Sequence, residues 1–255
     1  MQSHPWGSVF DFFSCLGNSL KRDGLPSVLA KTVLKARTKF IGLFGLRDVR
    51  KTQDKDFDLR FGIDTAEGVP RWKLNDVISA NKRFASSYVP SQEKDVLMLL
   101  SLLPVCPQEY LFVDIGSGKG KVLLLAAEYG FKRIVGVEFS PHLHAIAEAN
   151  VSHYLGNSSR DCQIECRCLD AADYPIPSDK LVMFLYNPFE AVVIQSILRR
   201  LQESLRVCDR QVFVINFGSL LRGALCDSEF LRPISGKGGH WIYSNKAVIG
   251  REQRQ

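Results

Sequence analysis

The sequence predicts an α/β fold, with a doubly wound, mostly parallel seven-stranded sheet, an antiparallel C-terminal hairpin and an N-terminal helical extension. Three observations carry this prediction. From about residue 75 onward, short apolar runs alternate with stretches of helical periodicity, which is the texture of a parallel sheet covered by helices. The first of these runs, Leu111 to Ile115, passes straight into Gly116-Ser117-Gly118-Lys119-Gly120, a strand that bends through glycines into a helix. Near the C-terminus the alternation stops, and two strand-like runs flank a glycine-rich turn.

In chain order, a helix over about residues 91 to 103 leads into the strand Tyr110 to Ile115. A helix over about 119 to 129 and the strand Arg133 to Phe139 follow. Ser140-Pro141 then opens another helix, because serine can accept from a free N–H of the first turn and proline lacks only a donor that would be unpaired there. Gln163 to Leu169 and Leu181 to Tyr186 read as strands, residues 190 to 206 as a helix, and Gln211 to Phe217 as a fifth strand. Phe230 to Ile234 and Trp241 to Ser244 form the hairpin, joined through Gly236-Lys237-Gly238-Gly239. The domain division is residues 1–74, an extension and connector, and residues 75–255, the main domain.

The chain has 255 residues, 45% hydrophobic and 24% charged, ample for a core. Its net charge is +6, and residues 1–60 carry eleven Lys/Arg against six Asp/Glu, so nearly all of the excess sits in the first quarter. Within residues 25 to 46, Leu29, Val33, Ala36, Phe40 and Phe44 line one helical face, while Lys31, Lys35 and Lys39 line the other. Such a basic amphipathic helix suits an anionic membrane surface, an RNA groove or a cap on the main domain, and DNA is not an expected partner. Residues 47 to 70 read as an irregular connector. Seven cysteines, an odd number, and the shared parity of Cys162, Cys166 and Cys168 predict reduced core thiols. Their spacing lacks the paired CxxC of a zinc site, so no metal is expected. With no leader-like N-terminus and no apolar run of about 18 residues, the expected location is the cytoplasm.

The chemistry gathers at the strand ends. The glycine spacing is G-x-G-x-G, and Lys121 stands where a dinucleotide fingerprint needs its third glycine, which argues against a nicotinamide-dependent oxidoreductase. Asp114, two residues before Gly116, would repel an anion but suits a ligand ammonium. Glu138 closes the next strand, where a carboxylate takes ribose hydroxyls in nucleoside-binding sheets. The guest so described carries a ribose and a positive end.

On these residues, Val113 to Gly120 and Gly136-Val137-Glu138-Phe139-Ser140, the chain resembles the class I, Rossmann-like, seven-stranded S-adenosylmethionine-dependent methyltransferases, nearest to uncharacterised bacterial members. The resemblance covers roughly residues 85 to 220. It implies S-adenosylmethionine as cofactor, with Asp114, Gly116, Ser117, Gly118 and Gly120 around the methionine portion, Glu138 on the ribose and Phe139 along the adenine. Asp170 and Ala171, at the end of the third strand, match the adenine-contacting position. Tyr88-Val89-Pro90-Ser91 resembles a run that closes over the methionine end, with Ser91 also readable as a helix N-cap, and Phe57 to Thr65 resembles part of a lid. Tyr186 and Asn187 lie where the amino-methylating branch places its acceptor motif, but Asn187-Pro188-Phe189 has one proline where that motif has two. The implied activity is methyl transfer to an unidentified acceptor, a small molecule or a protein side chain. An RNA methyltransferase, an NAD-dependent oxidoreductase and a catalytically inactive cofactor-binding protein are the alternatives. Tyr186, His240 and Glu190 are the candidate bases, and none is singled out.

Overall fold

The computed structural model describes residues 55–70, 74, 87–186, 191–218 and 221–248. The basic helix of residues 25–46, Asn187 and Glu190 lie outside the described residues. Gln53–Gln255 belong to one compact unit.

Seven strands form one sheet: β1 (Leu111–Ile115), β2 (Arg133–Glu138), β3 (Gln163–Cys168), β4 (Leu181–Leu185), β5 (Val212–Asn216), β6 (Arg232–Lys237) and β7 (His240–Ser244). Their order is β3-β2-β1-β4-β5-β7-β6. The pairs β1–β2, β1–β4, β2–β3 and β4–β5 are parallel, and β7 runs antiparallel to β5 and β6. The order reverses between β1 and β4, so the chain leaves a crevice at their carboxyl ends, where open α/β sheets take ligands.

The sequence pattern explains which strands lie inside. β1, β4 and β5 are buried at every residue, as continuous apolar runs covered on both faces should be. β3 is the outermost strand of its side, and its residues alternate between exposed and half-buried. This corrects the expectation of core thiols: Cys168 is exposed, and Cys162, Cys166 and Cys208 are only partly covered. Parity placed the first two on one face correctly, but an edge strand has no second neighbour to finish the burial.

The helices are α1 (55–61), α2 (Glu93–Ser101), α3 (Lys121–Tyr129), α4 (Pro141–Asn157), α5 (Ala191–Val207) and α6 (Arg222–Cys226). On one face of the sheet, Phe112, Ile134, Val182 and Phe213 pack with Leu99 of α2, Leu123 of α3 and Tyr154 of α4. On the other face, Val113, Val135, Met183 and Val214 meet Ile194 and Leu201 of α5 and Leu225 of α6. Ser140 caps α4 by accepting from the Leu143 N–H, with Pro141 in the first turn. The hairpin turns on Gly238 and Gly239, with φ of 62° and 85°, the pair of positive angles that a two-residue turn of this twist requires.

The connector departs from expectation. Residues 55–61 are helical, and Phe57 is 1% exposed within the core, its ring tilted against that of Phe61, which in turn meets Tyr154 edge-on. The two aromatics stand four residues apart on one helical face, a signal masked by the charged residues around them. Ser91 also departs: the N-cap of α2 is Gln92, without a side-chain bond, and Ser91 is buried one residue upstream. Among the described residues no helix is long and apolar enough to cross a membrane.

If α1 belongs to the core, Phe57→Ala will lower unfolding stability by about 3–5 kcal/mol in urea titration, the usual cost of emptying a buried phenylalanine site. Leu59→Ala, on a side chain 81% exposed, serves as the control and will change stability by less than about 0.5 kcal/mol.

Candidate active site

The cavity at the head of the sheet grows from one bend. β1 ends at Ile115, and the chain turns through Gly116, Gly118 and Gly120, with φ of 83°, 53° and 85°. These left-handed angles are cheap only for glycine. The bend is pinned to β2, since the N–H groups of Gly116 and Ser117 both donate to the Val137 carbonyl, at 2.8 and 3.0 Å. Gly136 permits this approach, because a Cβ there would meet the Leu123 side chain at 2.6 Å and Ser117 Oγ at 2.9 Å.

Glu138, at the end of β2, is 5% exposed. Its Oε2 accepts from the Gly118 N–H and its Oε1 from the Ser140 N–H, each at 2.9 Å. Two backbone donors therefore fix the carboxylate's plane. Asp114, in β1, is 2% exposed. Its carboxyl finds neither a hydrogen-bond donor nor a cation among the described residues, and burial, then the neighbouring Glu138 charge, push its pKa well above the ordinary 3.8. A carboxyl left unpaired beside a second carboxylate leaves room for a positively charged guest.

The described lining joins Tyr88, Asp114, Gly116, Ser117, Gly118, Glu138, Phe139 and Tyr186, which the sequence had singled out. Tyr88 lies across the bend so closely that a Cβ on Gly118 would sit 2.4 Å from its ring. Three other residues named from the sequence stand elsewhere. Gly120 is the N-cap of α3 and faces Ala147. Asp170 accepts from the Ala172 N–H at 2.9 Å and caps the short 3-10 turn Ala171–Asp173, where Ala171 is buried, and neither is part of the lining. Ser91, in the run expected to close over the methionine end, also lines the cavity, whereas the sequence reading missed Lys121, Leu143 and Phe184 as wall residues. Helical spacing could have found Leu143, three residues after the Ser140 cap, and Lys121 at the first turn of the helix that leaves the bend. Lys121 is 2% exposed, with its ammonium 5.0 Å from the centre of the Phe57 ring.

His240 stands behind the wall. Tyr186 meets Phe217 edge-on at 4.6 Å, and Phe217 stacks on the His240 ring at 4.2 Å. The Gly218 N–H donates to His240 Nδ1 at 2.9 Å, so the neutral ring carries its proton on Nε2 and has no lone pair left to take one. Burial lowers its pKa, with Asp95 opposing, which keeps the ring neutral. This geometry does not suit a general base.

The bend also decides between guests. A pyrophosphate needs loop N–H groups, but those of Gly116, Ser117 and Gly118 are already committed to Val137 and Glu138, and two buried carboxyls face the space it would fill.

A family described as "Methyltransferase domain" matches residues 112–210. Among solved structures, the ribosomal protein L11 methylase of Lactobacillus delbrueckii subsp. bulgaricus is 18% identical, covering 60% of this chain and 77% of that one at a TM-score of 0.43. An RNA methyltransferase of Salinibacter ruber, solved with S-adenosyl-L-homocysteine, is 22% identical, covering 66% and 100% at 0.41. The tRNA (uracil-54, C5)-methyltransferase of Pyrococcus abyssi, also solved with S-adenosyl-L-homocysteine, is 12% identical, covering 59% and 36% at 0.43. No curated protein matches the chain. Residues 112–210, which run from the first strand of the sheet to the threshold of the fifth, are the stretch similar to that methyltransferase domain.

Proposed function

We propose that the cavity at the head of β1, β2 and β4 binds S-adenosylmethionine and that the chain transfers its methyl group to a small molecule or a protein side chain. The observation that carries this reading is Asp114, a buried carboxyl without a partner among the described residues, beside Glu138 at the end of the adjacent strand. The residues fit the group. Asp114 would accept from the methionine ammonium, directly or through water. Glu138, its plane set by Gly118 and Ser140, would accept from the ribose hydroxyls, and Phe139 and Leu143 offer apolar contact to the adenine. Bound there, the cofactor supplies a methyl group already activated by its positive sulfur.

The protein's share of catalysis is then mostly geometric. In-line displacement needs nucleophile and methyl held at near-contact distance, and rigid positioning of that kind accounts for much of the rate. The described wall offers rigid surfaces for it: Phe184, fully buried in β4, and Tyr186, braced by Phe217. His240, with both ring nitrogens committed as donor or acceptor, takes no proton, so the acceptor must arrive in its nucleophilic form or lose its proton to solvent or to another group.

Titration calorimetry tests the reading directly. S-adenosylhomocysteine will give saturable heat and NAD none, and heat with NAD alone would overturn the assignment. Asp114→Asn will weaken S-adenosylhomocysteine by roughly 10- to 100-fold, the worth of a hydrogen bond between charged groups.

The same substitution has an opposite effect on stability. Because the folded pKa of Asp114 lies above its unfolded value, the folded state holds the proton more tightly, and stability falls as pH rises from the ordinary 3.8 through the raised value. Asp114→Asn removes that loss. Thermal melts will therefore show wild type and variant alike near pH 4 and the variant more stable near neutrality, so that one carboxyl weakens the fold and strengthens binding. In wild type, affinity for S-adenosylhomocysteine will drop as pH is lowered through the raised Asp114 pKa, because the protonated carboxyl no longer attracts the ammonium.

A further inference from the structure

The loop between α1 and Val69 is tied to the cavity through a chain of side-chain bonds that neither the core nor the cofactor contacts require. Asp58, half-buried in α1, accepts three of them. Its Oδ2 takes the N–H of Thr65 at 2.7 Å and of Ala66 at 2.6 Å, and its Oδ1 takes the Thr65 hydroxyl at 2.5 Å. Thr65 is fully buried, and its carbonyl accepts from the Tyr88 hydroxyl at 2.9 Å. Val69 and Tyr88 exchange both backbone hydrogen bonds, at 3.0 and 2.8 Å, so the Tyr88 backbone is fixed by the same loop that holds its hydroxyl. The Tyr88 ring, held at both ends, lies across Gly118 on the cavity wall.

A second tie reaches the bend itself. The Lys119 side chain is only 5% exposed, and its Nζ bonds Asp64 Oδ1 at 2.8 Å. Asn150 of α4 accepts from the Asp64 N–H and donates to the carbonyls of Asp64 and Lys119, all at 2.9 Å. The loop is thereby locked against the residue that follows Gly118, so Tyr88 and the bend share one frame of reference.

We infer that Asp58 is a positioning residue for the cofactor: by gathering three donors it sets the Thr65 carbonyl, and through it the Tyr88 ring, in its place across Gly118 on the cavity wall. The inference rests on the proposed S-adenosylmethionine site. A carboxylate suits this role because it alone among side chains accepts at both ends without donating, which two backbone N–H groups and a hydroxyl require. Asparagine at this position turns one acceptor into a donor that faces donors.

The test is S-adenosylhomocysteine titration of the full chain, with thermal melts run on the same samples. Asp58→Asn and Tyr88→Phe will each weaken binding by about fivefold, the worth of a single positioning hydrogen bond. The double variant will bind no more weakly than Tyr88→Phe alone, since Asp58 acts only through the tyrosine hydroxyl. Thr65→Val, which loses the hydroxyl donor, will weaken binding in the same way, and Thr65→Ser will keep wild-type affinity, so the inference can be judged even if Asp58→Asn does not fold. Losses that multiply in the double variant, or Asp58 and Thr65 variants that melt earlier yet bind as wild type does, would make the loop a purely structural staple and overturn the inference. If wild type itself gives no heat, the cofactor assignment falls first and this inference falls with it.

Discussion

Two carboxyls taken out of water at one bend set the terms for everything built around them. Asp114 and Glu138 stand at the carboxyl ends of the adjacent parallel strands β1 and β2, beside the point between β1 and β4 where the sheet order reverses and the backbone leaves a crevice. Burying one carboxylate without a partner is costly, and burying two side by side is worse. The structure resolves the conflict unequally. Glu138 is stabilised by two backbone donors, whereas Asp114 is left with its pKa raised by burial and by its neighbour. A fold that keeps such a group forgoes stability, and that imbalance, more than the glycines, is what a site for a cationic ligand would show.

The rest of the domain makes the bend possible. The strands on either side of the crevice are buried at every position, so their ends cannot drift, and the bend copies their register through Val137. Glycine is needed where another element presses in: Gly136 under Ser117 and Leu123, and Gly118 under Tyr88. Glycine at these places is a packing requirement, which is why the G-x-G-x-G spacing here need not imply a phosphate. The loop bonds that would cradle a phosphate are spent on holding Glu138 and anchoring to β2.

Much of this was legible in the sequence, for reasons that can be named. Continuous apolar runs bounded by glycine and charge announce buried parallel strands, and β1, β4 and β5 are of that kind. That Asp114 and Glu138 line the cavity was legible because carboxylates are rare inside apolar runs and both stand at strand ends. What stayed hidden depended on contacts between distant segments. Phe57 sits in a charged stretch, and only its packing with Lys121 and Phe61 shows it to be core. The exposure of Cys168 follows from β3 lying at the edge, and sheet order is not written in strand periodicity. Asp170 illustrates a local ambiguity, because an acid at a strand end can cap its own following turn as well as face a ligand, and its Oδ1 caps the Ala171–Asp173 turn.

The central claim is that the bend between β1 and α3 receives a cationic nucleoside derivative through its two carboxyls. A crystal structure grown with S-adenosylhomocysteine measures this most directly. The account predicts the ligand ammonium within hydrogen-bonding or one-water reach of Asp114 and both ribose hydroxyls on Glu138. A ligand seated elsewhere, or a bend still closed by Tyr88 with the carboxyls untouched, would contradict it.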